Sequence, residues 1–226
     1  MTCALQNGGD DEPCGVPLDS HLHHPTVCRV GASRLRCHTA AAAVLTKHLK
    51  STGAVVELEA AVPELYHVDE EGVVHERFMD LVVWWPGGSR RFLIDVTVRS
   101  PFAAGLSNPH LVPGAAAREG EKDKVRHYGS TVLPFAIEQG GRAGVGALES
   151  ILALHRESCE YGRLRPGCGR AAVLSVRRLR ADMEAEVVRH VAQTALAALG
   201  GLALRALGWA AAAEGWRRAG RRCGRA

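Results

Sequence analysis

Lysine is the scarce residue in this chain: 226 residues carry 24 arginines but only four lysines. Two of those four, Lys122 and Lys124, stand together in "EKDK", and where arginine is the default cation such a pair asks for a reason. Uninterrupted apolar runs are short as well. The longest candidate, "VAQTALAALGGLALRALGWAAAA", is broken by Gly200, Gly201 and Arg205, short of the ~20 apolar residues a spanning helix needs. A buried or partner-facing helix is expected there, and no membrane. The seven cysteines form no dense framework, and "MTCALQNGGDDEPCG" lacks the basic and apolar regions of a signal peptide. Reduced thiols and an intracellular setting, nuclear or cytoplasmic, are expected. A formal charge of +4 permits an acidic partner such as nucleic acid without demanding one. The 46% apolar content is sufficient for a core.

Residues 1–27 are Gly, Pro, Asp and His rich without periodicity and are expected to be disordered or linker. "SRLRCHTAAAAVLTKHLK" puts Leu35, Ala42, Leu45 and Leu49 on one stripe, a helix from Ser33 to Lys50. "AVVELEAAV" alternates as a strand, and further strands are expected from about Val74 to Trp85 and from Arg90 to Arg99. "GAAAREGEKDKVRHYG" reads as a helix, "TVLPFAIE" as a strand, "GVGALESILALHRESCEYG" and "RADMEAEVVRHVAQTALAALG" as helices. The domain boundaries expected are a globular domain over 28–165 and a helical extension with a basic tail over 166–226.

Two aspartates, Asp80 and Asp95, stand in the apolar arms of "RFMDLVVWWPGGSRRFLIDVTV". A two-residue Gly87-Gly88 hairpin turn, both residues at positive φ, pairs positions whose numbers sum to 175 and sets Asp80 opposite Asp95. Alternation then puts Met79, Leu81, Val83, Trp85, Phe92, Ile94, Val96 and Val98 on one apolar face and both aspartates on the other. Like charges directly opposed across strands destabilise a sheet. A divalent cation between them removes the penalty, and oxygen ligands suit Mg²⁺ or Mn²⁺. The structural alternative is solvation, or pairing with an arginine such as Arg77 or Arg99; Phe78, Val82 and Leu93 on the same face argue against plain solvent exposure.

A helix, three strands with acids in the second and third, then a helix and a strand resembles the PD-(D/E)XK restriction-like nuclease fold over about residues 30 to 140. "LIDVTVRS" with Asp80 fourteen residues before Asp95, followed by "EKDKVRHYG", is most similar to the restriction-like endonuclease domain of non-LTR retrotransposons, borne on reverse-transcriptase polyproteins. The resemblance implies an α/β fold with an αβββαβ core, a mixed central sheet flanked by helices, and extra C-terminal helices. It further implies Mg²⁺- or Mn²⁺-dependent DNA nicking, with DNA and a reverse-transcriptase or other DNA-targeting module as partners. Asp80 and Asp95 would hold the metal and Lys124 or Lys122 would supply the cation. Tyr128 would contact phosphate or serve as core. Glu138, with Glu57 and Glu59 behind it, would supplement the metal. Arg90, Arg91, Arg99, Lys122 and Arg126, with Arg118 and the tail "GWRRAGRRCGRA", would meet phosphates.

Three departures stand out: Met79 replaces a proline before the first aspartate, Thr97 replaces a lysine after the second, and no tight Cys-x-x-Cys marks an upstream zinc knuckle. His23, His24, Cys28, Cys37 and His38 lie in that region, where core thiols and surface histidines are the plainer reading; His38 reads as structural rather than as a base. The competing functions are a catalytically inactive nuclease-fold remnant that binds nucleic acid or protein, favoured by Thr97, and an unrelated interaction protein whose aspartates are surface residues.

Overall fold

The structure, a computed structural model, describes residues 2–6, 12–19, 23–28, 30, 33–102, 112–162 and 169–198. The basic tail lies outside them. The elements in chain order are α1 (His23–Val27), α2 (Ser33–Ser51), β1 (Val55–Ala61), β2 (His67–Val68), β3 (Val74–His75), β4 (Phe78–Trp84), β5 (Phe92–Arg99), α3 (Ala115–Tyr128), β6 (Val132–Glu138), α4 (Val145–Glu160) and α5 (Gly169–Ala198). Four strands form one mixed sheet in the order β1-β4-β5-β6. β1, β4 and β5 are antiparallel neighbours, and β6 returns parallel to β5 after α3. A crossover helix is what parallel pairing requires. Pro134 is tolerated because β6 is an edge strand and has a partner on one side only.

The chain divides into two units, one within Met1–Ser33 and Val191–Ala226 and the other Arg34–His190. In the larger unit the expected strand 74–85 is two strands, broken at Glu76 and Arg77, with β3 leaving the main sheet to pair with β2. The β4–β5 register is Leu81↔Ile94, Val82↔Leu93 and Val83↔Phe92, each pair summing to 175. The connection holds a tight turn that differs from a two-residue Gly-Gly loop and is centred one residue before the midpoint of that register. Gly88 N–H donates to the Trp85 carbonyl, and Gly87 alone takes positive φ, +90°. Pro86 and Gly87 thus occupy the central positions of a turn in which proline pre-sets one φ and glycine supplies the other.

The apolar face of the hairpin is buried as its alternation requires: Met79, Leu81, Val83, Ile94 and Val96 are all 2% exposed or less. The opposite face is also covered. Val62, Met79, Val82, Leu93 and Val132 form a core cluster with Tyr128 packed against it, so the aspartates sit beside core. On α2 Cys37, Ala41, Leu45 and Leu49, spaced at i+4, are buried, with Ala40 and Thr46 beside them, whereas Leu35 is exposed. A helical stripe drifts with the 3.6 period, and the expected one was a residue or two out of phase at its start.

The segment expected to be linker is ordered locally. Cys3 N–H donates to the Val16 carbonyl and Cys14 N–H to the Leu5 carbonyl. Cys3, Leu5, Cys28 and Ala198 form a small core, with Cys14, Leu18 and Val30 against it. The reading missed α1 and β2 because neither is long enough to show a period.

One residue in β1 breaks rule. Glu59 has φ +48°, a left-handed conformation that costs an L-residue roughly 1–2 kcal/mol. The β1–β4 pairs skip the position where Glu59 would meet Asp80, although Leu58↔Leu81 and Ala60↔Met79 flank it. On an exposed edge strand Val ordinarily outranks Gly. Here the order inverts: Glu59→Val lowers stability by about 1 kcal/mol or more while Glu59→Gly does not, measured by urea unfolding.

His48 of α2 and His155 of α4 are half-buried, and burial holds both imidazoles below their ordinary 6.5; each His48 shift is deepened by His155 and opposed by Asp182. The unfolded chain therefore takes up these protons first. Stability from the pair is fully present above pH 6.5 and falls as pH drops below it. Replacing both with Gln flattens the dependence of the urea midpoint on pH between 7 and 5 relative to the parent chain.

Candidate functional site

Asp95 is nearly buried and its carboxylate is held by a lysine. Lys124 Nζ lies 2.8 Å from each Asp95 oxygen. Burial pushes the Asp95 carboxyl up from its usual range, and Asp80 nearby pushes the same way, against the pull of Lys124 and His38. The geometry that delivers Lys124 is a match of periods. Four helical residues advance about 6 Å, and two strand residues about 6.6 Å, so residues four apart on α3 meet residues two apart on one face of β5. Gly120 lies against Thr97 and Arg99, Lys124 on Asp95, and Tyr128 on the cluster containing Leu93. The approach is close: a Cβ on Gly120 would stand 3.1 Å from Thr97 Cγ2 and Arg99 Cγ. A long side chain at 97 would have to pass under the helix, which is why the cation comes from the helix itself.

Asp80 is held from different directions. Val96 N–H donates to its Oδ2 at 2.6 Å, and His38 Nε2 lies 3.1 Å from the same oxygen. The hydrogen bond and charge of Asp80 hold the His38 imidazole above its ordinary value, against burial, with smaller support from Asp95 and the Val96 backbone. The two aspartates thus occupy one neighbourhood, each with its own partner, and among the described residues neither is paired with an arginine. Arg77 donates to His127 and Arg99 to Asp123.

The other expected residues sort cleanly. Lys122 pairs with Glu119 on the exposed side of α3, about 160° round the axis from Lys124. Tyr128 has its ring centroid 5.9 Å from Lys124 Nζ, and burial raises its hydroxyl pKa with Asp95 adding to the effect. Glu138 is not brought to the pair. It faces Arg99 in the register, whereas Asp95 faces Pro134, about 13 Å further along the strand, and its carboxylate accepts the Ala116 N–H at the start of α3. Glu57 and Glu59 are exposed. Of the expected phosphate-binding cations, Arg91 pairs with Glu64, Arg99 and Arg126 share Asp123, and Arg90 lies over the Phe92 ring. Each already has an intramolecular partner that a phosphate would have to replace. His38 was passed over because spacing on one helix carries no mark of a contact 42 residues away.

Metal ligands are available in two kinds. Asp80 and Asp95 offer oxygen alone, which suits a small hard cation that keeps waters and takes only one or two carboxylates. A second, chemically distinct set lies in the smaller unit. Cys3, Cys14, His24 and Cys28 place their ligand atoms within 4.8 Å of one another, and Cys14 Sγ is 3.2 Å from His24 Nε2. Among the described residues no other His, Cys, Asp and Glu side chains gather three or more ligand atoms so closely. Burial pushes the Cys28 thiol up to about 12, and its hydrogen bond with Cys14 adds to this, while a Val16 backbone hydrogen bond lowers Cys14. Three thiols and an imidazole in a near-closed cage fit tetrahedral Zn²⁺ and not Mg²⁺. Cys37, expected in that region, is instead buried in α2. The tight Cys-x-x-Cys spacing is absent because Cys3 and Cys14 are joined by a backbone bridge, Gly15 N–H to the Cys3 carbonyl, rather than by a short loop.

Purified chain is expected to carry about one equivalent of zinc by elemental analysis, reduced to a small fraction by Cys3→Ser or Cys28→Ser. No loss of zinc in either variant would exclude this ligand set. Compared with known proteins, the chain matches no family model and no curated protein, so its chemistry rests on the geometry above.

Proposed function

We propose that this chain is a metal-dependent DNA endonuclease of restriction-like fold and retrotransposon type, hydrolysing phosphodiester bonds to nick DNA. The observation that carries the reading is the Asp80, Asp95 and Lys124 constellation: two carboxylates from adjacent strands with the chain's scarcest cation, a lysine, on the more buried of them. The helix-strand order and mixed sheet support it, since they supply that constellation from β4, β5 and the crossover helix. The chain's resemblance to the PD-(D/E)XK pattern points to the same reaction class.

The residues present fit a hard divalent ion. Asp80 has one oxygen, Oδ1, free of the Val96 and His38 hydrogen bonds to its Oδ2, and at Asp95 burial raises the carboxyl while Lys124 pulls against it. Bound there, Mg²⁺ or Mn²⁺ would acidify a water and polarise the scissile phosphate. The protein's own part is electrostatic and positional. Asp80 and Asp95 carry the negative charge that selects a cation at this point of the sheet. Lys124, a compact ammonium on a flexible stem, is poised to leave Asp95 for a phosphate oxygen or the attacking water, and there offsets the charge that develops on phosphorus. Tyr128, one turn on, gives that face of α3 a phenol that remains protonated near neutral pH. DNA and a DNA-targeting or reverse-transcriptase module are the partners this reading entails, the second because no base-reading helix is recognisable among the described residues.

One feature favours a second reading, an inactive remnant that binds DNA: Thr97 stands where the family's lysine would be. Supercoiled plasmid with Mg²⁺ or Mn²⁺ decides between them. Nicking that falls on the order of 100-fold or more in Asp80→Ala, Asp95→Ala and Lys124→Met, with circular dichroism unchanged, supports the nuclease. Retention of plasmid without nicking by the parent chain supports the remnant, and neither activity removes both.

A further inference from the structure

Asp80 stands at the one place in the sheet where its strand is bonded to neither neighbour. On one side the β1–β4 pairs skip the Glu59/Asp80 position, where Glu59 is left-handed. On the other, the β4–β5 pairs end at Leu81↔Ile94, and the next amide, Val96 N–H, is satisfied by the Asp80 side chain instead of by backbone. A carboxylate in such a gap is not oriented by the ladder. Its direction has to come from side-chain partners.

His38 is that partner. It reaches Asp80 from α2, an element outside the sheet, with Nε2 3.1 Å from Oδ2. An ionised carboxylate only accepts, so Nε2 carries the proton and donates it. Both donors, the Val96 amide and the His38 ring, converge on Oδ2, which turns Oδ1 to the side left for a ligand. His38 is not itself assembled as a third ligand: Asp80, Asp95 and His38 are absent from the sets whose ligand atoms lie within 4.8 Å of one another.

We propose that His38 is a positioning residue that fixes the Asp80 carboxylate, through a donated hydrogen bond to Oδ2, in the rotamer that presents Oδ1 to the catalytic cation. The proposal rests on the carboxylate pair being a cation site. Its mark is that the requirement is for a donor at this position rather than for a ring or a charge. Glutamine, whose terminal amide nitrogen takes the place of Nε2, should therefore substitute, and phenylalanine, which keeps the ring's bulk without a donor, should not.

Mn²⁺ titration of the full chain without DNA, with free ion followed by electron paramagnetic resonance, tests this. The Asp80→Asn, Asp95→Asn double variant sets the baseline for ion held elsewhere. The parent chain is expected to bind one Mn²⁺ above that baseline. His38→Ala and His38→Phe bind it about 10–100-fold more weakly, and His38→Gln stays within about threefold of the parent, all with unchanged circular dichroism. Parent-like affinity in folded His38→Phe overturns the proposal, as does a folded His38→Gln as weak as His38→Phe. If parent and double variant bind Mn²⁺ alike, the carboxylate pair is no cation site and both readings fall together, an outcome distinct from a defect confined to the His38 variants.

Discussion

Two carboxylates brought side by side on neighbouring strands repel each other, and most of the larger unit can be understood as the means by which that repulsion is contained. The hairpin register brings them near each other, since the β4–β5 pairs run to Leu81↔Ile94, one residue short of both aspartates. Solvent does not relieve it, since Asp95 is 6% exposed and core residues flank both aspartates. The relief is divided. One acid is answered by a cation from α3, the other by a histidine from α2 and a backbone amide from β5. Two helices and two strands are thereby committed to one small volume. The arrangement is costly as plain architecture, because burying charged groups to satisfy one another seldom outperforms apolar packing.

The division also explains the local irregularities. A continuous ladder through Asp80 would spend the Val96 amide on a backbone carbonyl and leave the carboxylate's orientation to chance. Breaking the ladder on both sides releases that amide, and the left-handed Glu59 is the conformational cost of the break on the β1 side. Strain of this sort gathers where surrounding structure over-determines a geometry.

Much of this was legible from local patterns. All eight residues that alternation assigned to the apolar face are buried, although Met79 packs with Val82 and Leu93, and helical spacing chose Lys124 over Lys122 because only one of the two shares a face with Tyr128. The register survived an incorrect turn type: the tight turn at Pro86 and Gly87 is one residue off centre, and the remaining residues of the connection before Phe92 make up the difference. Alternation alone does not say whether a face is covered, but Val82 and Leu93 on the aspartate side argued against open solvent, and both are buried, whereas Phe78 is exposed. Spacing within an element cannot report a partner from elsewhere. His38, the Cys3 and Cys14 ligands and the true neighbour of Glu138 are all set by contacts between distant segments. The small cluster of Cys3, Leu5 and Cys28 was out of reach for a related reason: its members are far apart in sequence and two of them are cysteines, which composition does not count as a core.

Glu138 shows how far such contacts reach. α3 opens on Gly114, which has no side chain to cap the helix, and the carboxylate that receives the Ala116 amide belongs to the strand that follows the helix in sequence. Lys124 lies eight residues further on, about 12 Å along the axis. Because a helix is stiff over that length, the height at which the ammonium meets Asp95 is set at the helix's other end. The last residue of β6 thus acts as a gauge stop for a rod whose working tip is elsewhere, and the spacing of the site is inherited from the length of a helix instead of from the residues that line it.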